Sequence, residues 1–418
     1  MIDTGSAPPS AASVRAPGTF AALREPAYRR FFIGQGISLP GTWMQTIGQS
    51  WLVLELTGSG TYLGLLTAAQ FLPVLLLAPY GGLLADRLPK RILLLATQSV
   101  MCLSAFGLGI LTVLHLVSVG AVLVAAVLLG IATAVDNPTR QAFVIELVGP
   151  RLVVNAVSLN SVLVNAARAV GPAIAGVMIA AVGVGWCFLI NAASFAGILV
   201  ALAWLRLPDH RPTTTRTRAL SQLRDGFGYT FREPRLLWPF LLILLVGTFA
   251  WEFPITLPML TRDAFDNDAR VYGWLTSAMG IGAILGGLVV ARLARTGLAA
   301  IAGAAAVFGA GILLLALAPG VPTAIGALFV VGIGSTAFMS ISNATMQLSS
   351  APEYRGRVMS LWSMSFSGST PIGGPIVGAV GEHSSPRWAL GLGALSCLVA
   401  VVLSLGVTRS LDRRSSQR

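Results

Sequence analysis

Long apolar runs alternate with short polar breaks along this chain, and that alternation limits the fold more than any other feature of the sequence. A bilayer-spanning helix needs about 20 apolar residues. Twelve runs of roughly this length occur, at about 31–55, 61–85, 92–114, 117–135, 155–181, 184–205, 238–260, 272–291, 298–318, 322–342, 358–380 and 387–408. Twelve such helices would use about 240 of the 418 residues, which leaves little chain for a soluble domain. The pattern predicts an all-α membrane protein with twelve transmembrane helices.

The composition argues against a soluble enzyme. Charged residues make up 11% of the chain and its mean hydropathy is +0.78, whereas soluble domains are about 25% charged. The three cysteines, Cys102, Cys187 and Cys397, lie far apart inside apolar runs, without the spacing of metal ligands or of a disulfide framework. The sequence contains no phosphate-binding glycine loop, catalytic triad or zinc motif. We therefore expect no enzymatic activity, no cofactor and no metal.

The Lys and Arg residues collect in alternate breaks. With both termini on the inside, 24 of the 28 cations lie in inner segments and three in outer segments, while Arg168 falls inside the fifth run. Positively charged loops stay on the cytoplasmic side of a membrane, so the pattern predicts that both termini face the cytoplasm. The net charge of +12 is thereby explained by topology and does not indicate nucleic-acid binding.

The longest polar break divides the twelve runs into two sets of six. We predict a flexible cytoplasmic tail at 1–22, an N-terminal six-helix bundle at 23–205, a cytoplasmic linker at 206–237, a C-terminal six-helix bundle at 238–408 and a second tail at 409–418. Short strings recur in the same order in both halves: LREP returns as FREP, GLLT as GWLT, and GGLLADRLPK as GGLVVARLAR. The halves are therefore predicted to be pseudo-symmetric copies.

These features resemble the major facilitator superfamily over nearly the whole chain. The strings that carry the resemblance are LREPAYRRFFIGQGISLPGTWMQTIGQSWLVLELTGS, YLGLLTAAQFLPVLLLAPYGGLLADRLPKR, DNPTRQAFVIELV and NAVSLNSVLVNAARAVGPAIAG, and they are similar to the branch of the bacterial enterobactin exporter. The resemblance implies two six-helix bundles around a midplane cavity, with alternating access from the two sides of the membrane. It specifies the branch more closely than the cargo.

The resemblance also identifies the segment 82–91, GLLADRLPKR, with the superfamily's signature loop between helices two and three. It implies that Asp86 meets the cytoplasmic end of helix eleven as a latch, which forms only when the inner gate is closed. The predicted gating residues are Asp86, Arg87, Lys90, Arg91, Arg355 and Arg357. The alternative is that these cations serve only as topology signals.

Two groups of polar side chains are candidates for lining the cavity. The first group shares one face of helix one at helical spacing and consists of Ser38, Thr42, Gln45 and Gln49. The second consists of Thr248 and Thr256, which are predicted to share a face of helix seven with Glu252. The resemblance places helices one and seven beside the cavity, so these groups are predicted to hydrogen-bond a polar cargo. The alternative for helix one is that its polar side chains join neighbouring helices.

Two ionisable residues lie inside the predicted spans, where a charge costs at least about 2.5 to 3.5 kcal/mol. Arg168 lies near the bilayer centre in helix five, and Glu252 is the only acid inside a span, since Glu55 is placed at the outer interface. Glu252 is predicted to couple transport to protons, because a buried carboxyl can bind and release a proton. Arg168 is also predicted to take part in coupling, because an ion inside a membrane span is presumed to be functional unless a partner explains it. The alternatives are a structural Arg168 tied to polar neighbours, and a Glu252 that is permanently paired or permanently protonated.

Glycine and proline interruptions are candidate bend points at which helices rock. The predicted bend residues are Gly171, Pro172, Pro254, Pro258, Gly374 and Pro375, and ordinary close packing is the alternative. The string GPAIAG at 171–176 resembles the antiporter signature of helix five only in part. Helix four lacks the arginine that many drug/proton antiporters carry, and the three histidines lie in turns or loops, so a histidine proton relay is not expected.

From these observations we predict a secondary transporter of the bacterial inner membrane, which exports a siderophore-like or drug-like small molecule in exchange for protons. The expected partners are the cargo, protons and the lipid bilayer, and the protein is expected to be a monomer. An importer, or an uncoupled facilitator of a small metabolite, is an alternative. From other classes, a membrane-embedded lipid-modifying enzyme would need clustered acids or histidines, and a transport-dead sensor would need a partner-binding domain.

Overall fold

The computed structural model describes residues 18–205 and 219–416. The N-terminal half contains α1 (Pro26–Thr57), α2 (Gly60–Arg87), α3 (Lys90–Val113), α4 (Val119–Val148), α5 (Val153–Val182) and α6 (Val184–Trp204). After α7 (Ala219–Arg232), the C-terminal half contains α8 (Pro234–Ala250), α9 (Phe253–Met259), α10 (Ala269–Leu293), α11 (Leu298–Ala316), α12 (Val321–Ser349), α13 (Arg355–Gly368), α14 (Thr370–His383) and α15 (Pro386–Ser416). No strand occurs in these two ranges, so the all-α prediction is confirmed.

Ten segments of the described chain are long and apolar enough to cross a membrane. They are α2 to α6, the α8–α9 segment Pro234–Ala264, α10 to α12, and α15. The two other predicted spans correspond to α1, which is 32 residues long, and to α13 followed by α14. The helix order therefore agrees with twelve spans, and for these two segments the count stays a prediction.

Helix pairing repeats between the two halves. In the N-terminal half α2 packs on α4, α1 on α6, and α3 on both α4 and α6. In the C-terminal half α10 packs on α12, α8 on α15, and α11 on both α12 and α15, which is the same pattern one repeat later. The halves meet mainly where α2 packs on α14 and where α5 packs on α10. This arrangement is the pseudo-symmetric pair of bundles that the repeated strings predict.

The helix bundle has two ends, at which successive helices are joined. We call the end at which α1 begins the terminal face, and the opposite end, where a turn joins α1 to α2, the distal face. Gly58 ends α1 with a φ of 64°, a left-handed conformation that glycine adopts without strain. Ser59 then caps α2, because its side chain accepts a hydrogen bond of 3.3 Å from the Tyr62 backbone N–H.

Glycines bring the two halves into backbone contact towards the distal face. A Cβ atom added to Gly64 of α2 would lie 2.5 Å from the Gly374 carbonyl oxygen of α14, and one added to Gly60 would lie equally close to the Gly378 oxygen. On the other side, a Cβ at Gly176 of α5 would lie 2.7 Å from the Ala269 oxygen of α10. Small residues permit such close approach of membrane helices, so the distal ends of the halves are closed on each other.

The predicted linker at 206–237 contains a helix, α7, in its second part. The ring of Tyr229 stacks on Tyr354 at 4.3 Å between centroids, and its hydroxyl oxygen accepts a hydrogen bond of 3.2 Å from the Ala351 N–H. Helix α7 thus packs on the terminal face of the C-terminal half. Residues 206–218, together with residues 1–17 and 417–418 of the predicted tails, lie outside the described residues.

Candidate functional site

The segment predicted as helix seven is broken in the middle, and Glu252 lies at the break. Helix α8 ends at Ala250 and α9 begins at Phe253, with Pro254 in its first turn, where the missing N–H of proline leaves no intrahelical bond unmade. The Glu252 carbonyl oxygen accepts hydrogen bonds from the backbone N–H groups of Ile255 and Thr256. The break therefore holds Glu252 in place at the start of α9.

The carboxyl group of Glu252 is buried and incompletely satisfied. Its residue is 3% exposed, and its Oε1 atom has no hydrogen-bond partner. Glu252 and Thr256 line a small cavity together with residues of α15, among them Leu390 and Gly393. The cavity has room for about one water molecule. A buried acid beside a space for water has the arrangement needed to exchange a proton.

Thr370 and Thr248 differ in their relation to this acid. Thr370, at the start of α14, contributes a side-chain hydrogen bond to the Glu252 carboxyl. Thr248 is half-buried, donates to the Leu244 carbonyl at 2.6 Å, and is absent from the lining of the cavity. The helix break interrupts the continuous face that spacing alone assigned to Thr248 and Thr256.

Arg168 lies in the middle of α5 and packs on an aromatic ring. Its guanidinium carbon is 5.0 Å from the centroid of the Trp43 ring of α1. Its Nε atom is buried without a hydrogen-bond partner. Among the described residues, no carboxylate oxygen lies within the 4.0 Å of an ion pair. Arg168 and Glu252 are therefore not paired with each other in this conformation.

The polar face predicted on α1 packs towards α6. Ser38, Gln45 and Gln49 are 4%, 2% and 1% exposed. The Gln45 Oε1 atom accepts a hydrogen bond of 2.5 Å from the side-chain amide of Asn191 in α6, while Thr42 donates to the Ser38 carbonyl oxygen. In this conformation Gln45 joins two helices, which is the alternative that the sequence left open. A role of these residues in lining the cavity stays a prediction.

The six predicted gating residues are not brought together in this conformation. Arg357 lies 3.7 Å from the Asp225 carboxylate of α7 and 5.2 Å from the centroid of the Tyr354 ring. Arg355 donates through Nε to the Gln347 carbonyl oxygen. Both cations lie in α13, and they are thus held by the C-terminal half and by α7.

On the N-terminal half, Lys90 pairs with Glu146, and Arg91 donates to two backbone carbonyls at the end of α6 at 2.6 and 2.7 Å. Asp86 and Arg87 are exposed, and within the described part of the chain neither has an ion pair within 4.0 Å. The predicted latch between Asp86 and the start of α13 was expected only when the terminal face is closed. It stays a prediction for that conformation.

The helices run through two of the predicted bend points without a break. Helix α5 continues through Gly171 and Pro172, and α14 continues through Gly374 and Pro375. A Cβ at Gly171 would lie 2.7 Å from the Trp43 Cβ, so this glycine permits close packing of α5 on α1. The breaks that do occur, at Trp251–Glu252 and at Ser369, precede Pro254 and Pro371 by a few residues. Bending during transport stays a prediction.

A buried polar network near the terminal face was not singled out from the sequence. Asp136 of α4 is 1% exposed, pairs with Arg140 one turn later, and accepts hydrogen bonds of 2.9 and 2.8 Å from Thr97 and Gln98 of α3. Arg140 also donates to Gln35 of α1 at 2.7 Å. The acid and base four residues apart in DNPTR were the available signal, since that spacing places them on one helix face. The network ties α1, α3 and α4 together.

Two charged residues of the C-terminal half hold the turn between α1 and α2 at the distal face. Glu382 accepts hydrogen bonds from the Ser59 hydroxyl at 2.6 Å and the Thr61 backbone N–H at 2.9 Å. Arg262 donates to the carbonyl oxygens of Leu54 at 2.7 Å and Gly58 at 3.3 Å. The anion lies at a helix N-terminus and the cation at a helix C-terminus, so each complements the adjacent helix dipole. We call the contact of Glu382 with Ser59 and Thr61 the distal latch.

The chain is similar to proteins of a known family over nearly its whole length. The family described as "Transmembrane secretion effector", within the major facilitator superfamily, matches residues 17–417. The Staphyloferrin A transporter of Staphylococcus aureus is 30% identical over 273 residues, which are 63% of this chain and 67% of that protein. The Enterobactin exporter EntS of Escherichia coli O1:K1 is 26% identical over 406 residues, which are 93% of each chain.

The fold also occurs in solved structures. A crystal structure of a bacterial homologue of the iron transporter ferroportin, in an inward-facing state, superposes with a TM-score of 0.73. The alignment covers 91% of this chain and 98% of that chain at 15% sequence identity. At this identity the likeness concerns the fold alone.

Proposed function

Because the chain belongs to the transmembrane secretion effector family of the major facilitator superfamily, it is a membrane transporter of small molecules and not an enzyme, and we propose that it exports its cargo in exchange for protons. The superfamily and the branch predicted from the sequence are confirmed by these matches. The direction of transport, the coupling ion and the alternating-access mechanism belong to the proposal.

The buried carboxyl of Glu252 is the observation on which proton coupling rests. Its Oε1 atom is buried without a hydrogen-bond partner, and the residue lines a cavity with room for about one water molecule at a break between two helices. An acid placed in this way binds a proton without first breaking an ion pair. In the proposed cycle, protonation of Glu252 from the outside favours cargo release, and deprotonation towards the inside restores cargo binding.

Alternating access is supported by the closed distal face. The glycine contacts between α2 and α14, the distal latch and Arg262 all hold the halves together at that end. In the proposed second state these contacts separate, and Asp86 meets Arg355 and Arg357 at the terminal face. Arg357 would then exchange its present partner, Asp225, for Asp86.

The cargo class and the location follow from the relatives. Proteins named as a staphyloferrin A transporter and an enterobactin exporter support a siderophore-like or drug-like cargo. Bacterial relatives support the inner membrane, and the distribution of the cations supports a cytoplasmic terminal face. A reporter enzyme that is active only outside the cell, joined after Arg418, is expected to be inactive, and an active fusion would contradict this orientation.

Transport into proteoliposomes with and without a pH gradient tests the proposal. The probes are staphyloferrin A, enterobactin and ethidium, each measured with the parent protein, Glu252→Gln and the control Glu55→Gln. Glu55 is the control acid, because it lies at the distal end of α1, where its carboxylate accepts a hydrogen bond of 2.5 Å from the Trp51 Nε1–H group. Glu252→Gln mimics the protonated form, so we expect it to abolish gradient-driven accumulation but to spare downhill exchange, while Glu55→Gln keeps both.

Gradient-driven transport of undiminished rate in Glu252→Gln would remove this residue from the coupling mechanism. Accumulation by the parent that is independent of the pH gradient would leave an uncoupled facilitator, and accumulation in the direction of proton flow would indicate an importer.

A further inference from the structure

We propose that Arg168 and Trp43 form an anion-binding subsite, and that the cargo therefore carries a planar anionic group such as a carboxylate. This inference rests on the proposed transport function only in that the occupant is cargo. Its basis is a cation within the membrane-spanning part of the bundle for which residues 18–205 and 219–416 supply no anion.

Arg168 differs from the other half-buried cations of the described chain, because each of those has an anionic or carbonyl partner. Lys90 pairs with Glu146, Arg140 with Asp136, Arg262 with Asp263 and Arg357 with Asp225. Others, such as Arg91 and Arg387, donate to backbone carbonyls at helix ends. Arg168 has neither kind of partner, and its Nε atom is buried without any acceptor.

The location of Arg168 between the two halves supports a role in cargo binding. Its residue lies in the middle of α5, and its carbonyl oxygen would lie 3.1 Å from a Cβ added to Gly280 of α10. Helix α10 belongs to the other half of the molecule, so Arg168 lies at the seam between the two repeats. Substrate sites of transporters built from repeats lie near the membrane midplane at such a seam.

The contact with Trp43 explains how the site would select its ligand. A guanidinium group stacked on an aromatic face is held in a fixed orientation, while its N–H groups at the edge stay available for hydrogen bonds. The edge presents a fork of donors that matches two oxygens of a carboxylate. A charge placed in a membrane without a partner costs at least about 2.5 to 3.5 kcal/mol, and an anion brought by the cargo would offset that cost.

A purely structural role for Arg168 and an anion-binding role predict different effects of its replacement. If the residue only packed on Trp43 to hold α5 against α1, its replacement would destabilise the empty protein and would not alter the choice between charged and neutral ligands. If it is an anion subsite, its replacement removes a charge that has no counter-charge among the described residues, so the empty protein is expected to be as stable as the parent or more stable.

Ligand-induced thermal stabilisation of the purified full-length protein in detergent tests the proposal. The probes are matched pairs that differ only in a carboxylate and its neutral amide: salicylate with salicylamide, and 1-naphthoate with 1-naphthamide. In the parent, each acid is expected to bind at least about tenfold more tightly than its amide, the difference of one charge-assisted hydrogen-bonded contact. In Arg168→Gln this preference is expected to vanish, and in Arg168→Lys it is expected to be reduced.

The matched control is Arg387→Gln. Arg387 is also stacked on an aromatic ring, with 5.8 Å to the Phe265 centroid, but it lies at the distal end and donates to the Ala316 carbonyl oxygen. Its replacement is expected to leave the preference for acids unchanged. An acid preference that persists in Arg168→Gln, or a parent that binds acids and amides equally or binds neither, would overturn the proposal.

These assays use no pH gradient and no transport step. Loss of the acid preference in Arg168→Gln together with gradient-independent transport would therefore refute proton coupling and leave the subsite intact. Gradient-driven export with no acid preference in the parent would refute the subsite and leave the proposed function intact.

Discussion

The carboxylate of Glu382 accepts a hydrogen bond of 2.6 Å from the Ser59 hydroxyl, and the two residues are 323 positions apart in the chain. Glu382 lies at the end of α14 in the C-terminal half, and Ser59 caps α2 in the N-terminal half. The same carboxylate accepts from the Thr61 N–H. This anion at the N-terminus of α2 is in place only while the distal ends of the two halves are in contact.

Replacement of Glu382 is expected to favour opening of the distal face. Glu382→Gln removes the negative charge and weakens both hydrogen bonds, so the population with the distal face open should rise by about two- to fivefold, as for an exposed ion contact. Distances between spin labels at Leu56 and Ser384 would measure the change. Asp266→Asn, which removes an exposed acid from the same face, is the control. Identical distance distributions in Glu382→Gln and the control would show that the distal latch does not hold this face closed.

The distal latch is expected to be insensitive to pH in the physiological range. Hydrogen bonds from Ser59 and Thr61 lower the pKa of Glu382 from its ordinary value of 4.5 to about 2. Because the ionised form is favoured in the contact, its contribution to the closed face is complete above about pH 4.5 and is lost as the pH falls through about 2.

The distances between spin labels at Leu56 and Ser384 are measured in a protein that carries Glu252→Gln. Between about pH 5 and about pH 8, these distances should therefore not change. A distal face that opens across this interval in that background would contradict the assignment of the latch to an ionised Glu382.

The polar network around Asp136 is expected to be needed for stability. Asp136→Asn leaves Arg140 without its buried counter-charge, which should cost about 3 kcal/mol and lower the unfolding temperature of the detergent-solubilised protein. Asp86→Asn is the control, because Asp86 is an exposed acid near the same face. In the double variant Asp136→Asn with Arg140→Gln, part of the loss should be recovered, since no unpaired charge is left. Equal unfolding temperatures for Asp136→Asn and Asp86→Asn would show that the ion pair contributes little.

The proposed contact of Asp86 with Arg355 and Arg357 at the terminal face is expected to affect conformation and transport but not folding. Asp86→Asn removes the carboxylate that the proposed second state places near Arg355 and Arg357, so it should weaken the state with a closed terminal face. Transport should fall while expression and unfolding temperature stay unchanged. Label distances across the terminal face that are the same in Asp86→Asn and the parent would exclude this role.

The fold was predictable because its signals are local. Twelve apolar runs, the cation pattern and repeated strings need no knowledge of contacts, and the strings around GGLLADRLPK and NAARAVGPAIAG identify the family. Helix breaks were harder to predict. Pro254 marked the break before α9, but Gly374 and Pro375 did not mark one, because Gly374 packs against Thr67 of α2 within a continuous helix.

The site was predictable only where a single residue is unusual by itself. Glu252 and Arg168 stand out because a charge in an apolar run is costly. The contacts of Glu382 and Arg262 were not visible, because each depends on a helix end that lies more than 200 residues away in the chain. The polar face of α1 was visible, but periodicity cannot tell whether such a face meets a cavity or, as for Gln45 and Asn191, another helix.

The backbones of the two halves touch at glycines, and no larger residue fits at these positions without moving the helices apart. Two surfaces with interdigitated side chains separate only after some of these side chains change rotamer. Two glycine backbones in contact have no side chains that must move first. Separation and return at the contact of Gly64 with Gly374 therefore depend on clearance alone, and a single methyl group is larger than that clearance. Alanine at Gly64 would act as a wedge, which offers a simple means of holding the carrier with its distal end apart.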